Sequence, residues 1–201
     1  HDALPISGTD DLTLNKAVLT ASSGAEEKGN IGLMSASGLS AAGGQLQANN
    51  ITATAAGDIA SGTKLVAAAN IAETSTGGNI AVTGDMEAAA VTLSASTADK
   101  RVSIGDSGSN TANTIKTSEL AVNSPAVVIN HARIDKTGAL TLTNDSITVT
   151  NAELDAGTSD ITLRAASGLQ VNFGTLTGVN ITLDNRDTSA INASGNFTAA
   201  G

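Results

Sequence analysis

Residues 140–163 read LTLTNDSITVTNAELDAGTSDITL. Within Leu140-Thr141-Leu142-Thr143 and Ile147-Thr148-Val149-Thr150, apolar side chains alternate with Thr, the period of a strand that buries one face and wets the other. Leu154 begins a third short apolar core, and at Ile161-Thr162-Leu163 the pattern starts again. Thr143-Asn144-Asp145 separates the first two strands; Asn and Asp hydrogen-bond their own backbone and favour turns.

The same unit extends in both directions. Apolar anchors fall at Leu12, Ile31, Ile51, Ile71, Val91, Leu120, Leu140, Ile161 and Ile181, with steps of 19, 20, 20, 20, 29, 20, 21 and 20 residues. Triplets such as Ile31, Leu39, Leu46 and Ile51, Ile59, Leu65 repeat the three-strand unit, and Gly43-Gly44, Gly57-Asp58 and Gly77-Gly78-Asn79 mark its corners. A unit of about 20 residues cannot enclose a core alone, but stacked units can. The expected fold is therefore all-β, a parallel β-helix of about nine coils, each advancing by roughly 4.8 Å. Small Ala at Ala55-Ala56, Ala67-Ala68-Ala69 and Ala88-Ala89-Ala90 suits crowded corners, and a helical reading of these runs fails because Gly, Thr and Asn break every helical stripe.

Composition fits a thin, regular core. Of 201 residues 14% are charged and 1% aromatic, so the interior must be Ile, Val, Leu and Ala. Nineteen acidic against ten basic residues give a net charge of -9, which repels a phosphate backbone and argues against nucleic acid as a partner. Zero Cys removes disulfides, zinc-thiolate sites and thiol nucleophiles together. No apolar run approaches the roughly 20 residues of a membrane-spanning helix, so an embedded chain is not expected. The opening His1-Asp2-Ala3-Leu4-Pro5-Ile6 looks like a translated sequencing adapter. Residues 1–7 are accordingly expected to be a non-native leader, and residues 8–201 a single β-helix segment with a loop insertion at about 105–117.

Segments such as Gly77-Gly78-Asn79-Ile80-Ala81-Val82-Thr83-Gly84, Gly138-Ala139-Leu140-Thr141-Leu142-Thr143-Asn144 and Thr158-Ser159-Asp160-Ile161-Thr162-Leu163-Arg164-Ala165 resemble the degenerate repeats of filamentous-haemagglutinin-like exoproteins. The resemblance covers nearly all of residues 8 to 201. It implies a right-handed β-helix from the interior of a long secreted protein of a Gram-negative cell surface, exported by two-partner secretion. It further implies an adhesive or structural rod, with a toxin-delivery stalk as the alternative. The implied partners are a receptor or glycan on a host or neighbouring cell and the outer-membrane transporter of the full-length protein. No cofactor or metal is implied.

Few residues offer catalytic chemistry, and no catalytic residue is expected. His131 is the one usable imidazole, in His131-Ala132-Arg133-Ile134-Asp135. One coil later comes Asn151-Ala152-Glu153-Leu154-Asp155, which places Arg133 over Glu153 as a cross-coil ion pair and Asp135 over Asp155. A polysaccharide-degrading enzyme or phage spike, the other β-helical alternative, needs carboxylates converging in a groove; Asp184, Asp187, Asp135 and Asp155 are the available ones. Thr52, Thr92, Thr141, Thr162 and Thr182 form a partial outward ladder, interrupted by Ala72 and Ala121, that strand propensity explains. Solenoids place recognition in protrusions, so Asp106, Ser107, Ser109, Asn110 and Asn113 in the long step from Val91 to Leu120 form the candidate contact loop.

Overall fold

A computed structural model describes residues 3–21, 29–106, 108 and 112–200. Its strands are β1 (Ala3–Gly8), β2 (Leu12–Asn15), β3 (Val18–Thr20), β4 (Asn30–Ser35), β5 (Leu39–Ala55), β6 (Ile59–Ser75), β7 (Ile80–Val82), β8 (Met86–Ser94) and β9 (Arg101–Ile104). They continue as β10 (Asn113–Asn123), β11 (Ala126–Asn130), β12 (Ala132–Lys136), β13 (Leu140–Thr150), β14 (Glu153–Asp155), β15 (Ile161–Gly178), β16 (Ile181–Asn185) and β17 (Asn192–Ala199). Every register is parallel, between one turn and the next, and the whole is a parallel β-helix of about eight turns.

Three columns of inward side chains build the core. The first runs Leu4, Ile31, Ile51, Ile71, Val91, Leu120 and then Leu140, Ile161, Ile181. The second runs Leu12, Leu39, Ile59, Ile80, Val102, Val127, Ile147, Leu169. The third runs Leu19, Leu46, Leu65, Met86, Ile115, Ile134, Leu154, Leu176, Phe197. Most members are fully buried, so each rung rests its apolar surface on the rungs above and below, while the backbone ladder satisfies the peptide groups.

One expectation is corrected. Leu12 is not the first anchor: it pairs with Leu39 in the second column, and Leu4 pairs with Ile31 in the first. Ala3–Gly8, which overlaps the segment expected to be a leader, forms β1, with Leu4 and Ile6 in register with Ile31 and Leu33. The long step from Val91 to Leu120 carries its extra residues both between β8 and β9 and between β9 and β10, and β10 begins at Asn113.

Corners are often bends within continuous strands rather than loops. β5 carries Leu39, Leu46 and Ile51 through two register shifts. At the first shift Gly43 and Gly44 have φ of 62° and 75°, and a Cβ on Gly44 would lie 2.1 Å from the Ala17 carbonyl oxygen, so only glycine fits there. The same corner recurs down the rod as single left-handed residues at Lys16, His131, Asn151 and Phe173, with φ between 47° and 53°, each four residues after its second-column anchor.

Candidate functional site

Outside the core, charge concentrates on the face formed by the third column. Strand alternation puts Lys64, Asp85, Glu87, Lys116, Arg133, Asp135, Glu153 and Asp155 on the outward positions that flank the buried anchors. Arg133 Nη1 lies 2.7 Å from Glu153 Oε1, and its Nη2 lies 3.3 Å from Asp155 Oδ2 and 3.9 Å from Asp135 Oδ2. The guanidinium therefore occupies the space between Asp135 and Asp155 that a cation would need. Lys116 Nζ sits 3.6 Å from Glu87 Oε1 on the same face. These side chains are between 26% and 63% exposed, so the pairs are screened by water and each adds at most about 1 kcal/mol.

The other carboxylates lie elsewhere. Asp184 belongs to the first-column face, where Arg164 Nε donates to it at 2.7 Å. Asp187 lies in the turn after β16, bonded by the Ser189 hydroxyl, by Ser189 N at 2.8 Å and by the Asn185 amide. Those hydrogen bonds, the Ser189 hydroxyl first, hold its carboxyl below the usual range. Asp135 and Asp155 thus do not converge with Asp184 and Asp187 on one groove. Among the described residues no three His, Asp or Glu side chains gather to hold a metal, and no helix is long and apolar enough to cross a membrane.

His131 is a corner residue with φ of 52°, its N–H donating to the Thr150 carbonyl at 3.0 Å. In the candidate contact loop, Asp106 is exposed and its Oδ1 accepts from Gly108 N at 2.9 Å. Ser107, Ser109 and Asn110 lie outside the described residues. Asn113 is not a loop residue: it starts β10, is buried, and donates from Nδ2 to the Gly84 carbonyl at 3.2 Å.

Sequence reading missed the polar groups inside the rod. Glu73 occupies an inward position on β6 between Ala53 and Leu93 and is 1% exposed. Burial pushes its carboxyl up to about 7, with a hydrogen bond to Ser61 acting the other way. Lys136, paired with Thr117 two places after the third-column anchors Ile134 and Ile115, is 9% exposed, its Nζ donating to the Ser118 carbonyl at 2.7 Å. Burial lowers its pKa, and Glu119 opposes that shift. Asn144 is buried at a corner, its Nδ2 bridging the Val122 and Ser124 carbonyls at 3.0 and 2.8 Å. On the surface, Asn30, Asn50 and Asn70 form an amide ladder with links of 2.7 and 2.8 Å. The signal for Glu73 was an ionisable residue two places after an anchor, where every other turn except that of Ala53 places Ile, Leu or Val.

Among the described residues the charged groups form a stripe on the third-column face, and the class the fold defines is the parallel β-solenoid. Comparison of the chain with protein-family models, curated proteins and solved structures gives no match.

Proposed function

We propose that the chain is a segment of an extended structural or adhesive rod that holds binding elements away from a cell surface. The observation that carries this reading is the stacking of three apolar columns through successive turns. Such a body transmits position along its axis and repeats any weak surface contact at each rung, which suits multivalent attachment. Assignment to a secreted bacterial exoprotein, with a cell-surface receptor or glycan as partner, rests on the resemblance of the repeats. The charged third-column face is the surface on which a polar partner would find opposite charges at regular spacing.

Deletion of residues 51–70, one repeat in register, tests the reading. A rod should refold one strand spacing shorter, by about 4.8 Å, with adherence of chain-coated beads to cells unchanged and no sugar released from a panel of acidic polysaccharides. Product release by the intact chain that disappears in the deletion variant would overturn the rod and favour an enzyme.

A further inference from the structure

Glu73 has surroundings unlike those of the chain's surface carboxylates. Its side chain projects from β6 into the interior of the fourth rung, between Ala53 of the rung before and Leu93 of the rung after. Ala53 is smaller than the Leu33 that holds the same position one rung earlier. The carboxyl is sealed from solvent, and Oε2 has no hydrogen-bond partner. Ser61, buried on the same strand, is the side chain whose hydrogen bonding opposes the effect of burial on it.

Among the described residues no counter-charge faces it. β4, β5 and β7 contain no ionisable residue. The other ionisable residues of β6 and β8 are Lys64 and Glu87, and both point outward on the third-column face. A carboxylate there would be an uncompensated buried charge, among the costliest groups a core can hold, whereas the neutral acid loses only a hydrogen bond.

We propose that Glu73 is a pH-sensitive latch: protonated, it lets the rung of β6 close like its neighbours; ionised, it opens that rung locally while the rest of the rod stays shut. The direction follows from linkage. The carboxyl titrates near 4.5 when exposed and at about 7 in the closed rung. Below pH 4.5 both forms are protonated and the closed rung keeps its full stability. As pH rises above 4.5 the opened form ionises first, so closure weakens progressively, and the loss is complete once pH passes about 7. The opening equilibrium should grow on the order of 10²-fold between pH 4 and pH 8. Opening would bare the edges of β5 and β8, so the device would couple surface pH to where the rod yields.

The test is hydrogen exchange of the 201-residue chain at pH 5 and pH 8.5, corrected for the intrinsic exchange rate, with a carbon NMR titration of the Glu73 carboxyl. The expected result is a carboxyl midpoint near neutrality and loss of protection in β5 to β8 at the higher pH, with β13 to β15 unchanged. Glu73→Gln should abolish the pH dependence, and Ser61→Ala should move the midpoint higher. A midpoint near 4.5, or the same pH dependence in Glu73→Gln, would overturn the latch. The wild-type titration decides the matter even if a variant fails to fold.

Discussion

Exchanging Asn144 for Asp changes almost nothing in shape and removes two donors at a point where the rod has no substitute. Residues Glu119–Asn123 of β10 are in register with β8 of the preceding turn but with no strand of the following one. Asn144 Nδ2 supplies donors there, to Val122 O at 3.0 Å and Ser124 O at 2.8 Å. Asp offers an ionised carboxylate to the same two carbonyls. Each buried acceptor left without a donor costs about 1–3 kcal/mol, so Asn144→Asp should lose about 2–6 kcal/mol at pH 7. Asn144 Oδ1 already lacks a partner, so the exchange relieves nothing. The natural control is Asn50→Asp, which breaks a 2.7 Å amide link to Asn30 on the surface; water takes over that donor, and the cost should stay below about 1 kcal/mol. Urea unfolding followed by circular dichroism, with hydrogen exchange of residues 118–126, measures both variants. Equal costs for the two would refute the claim that burial at the seam, rather than the amide bond itself, sets the energy.

Other perturbations follow from the same columns. Ile134 is fully buried between Ile115 and Leu154, so Ile134→Ala should cost about 3–4 kcal/mol in urea unfolding. Leu183→Ala, at the half-exposed last rung, should cost less than half as much. His131→Val should cost about 1–2 kcal/mol, because a β-branched side chain is forced to φ of 52°, whereas His131→Gly should be nearly neutral. Thermal melts of the two variants distinguish this corner role from a chemical one. Arg133→Gln should cost under about 1 kcal/mol, with the difference vanishing at high salt, which melts at two ionic strengths would show.

The fold was legible because a solenoid writes its structure as a period. Ile51, Ile59 and Leu65 predict their own register with Ile71, Ile80 and Met86, and the strand alternation that buries Ile134 also turns Arg133 toward Glu153 at 2.7 Å. The period failed at the first turn, where 27 residues separate Leu4 from Ile31. Leu12 lies 19 residues before Ile31, a spacing that mimics the repeat, although its own column contains Leu39 and Ile59. Spacing alone cannot separate the columns, since each is apolar and each recurs every 20 residues or so. Only pairing geometry assigns a strand to its column.

Glu73, Lys136 and Asn144 stayed hidden for a related reason. Read linearly, Ile71-Ala72-Glu73-Thr74 is an ordinary strand with a charge on it, and a charge is normally taken for the wet face. Read down the rungs, the same Glu follows Leu33 and Ala53 and precedes Leu93, and its inward direction is fixed by parity with Ile71. Parity cannot be escaped in a strand: a residue two places from a buried anchor is buried too unless the backbone bulges. Lys136 obeys the same rule two places after Ile134. Its long stem lets the ammonium reach the Ser118 carbonyl near the surface, whereas the shorter Glu73 side chain must leave Oε2 unpartnered. Side-chain reach thus separates the two inward charges: Lys136 can remain charged while buried, and Glu73 holds its place most easily as the neutral acid.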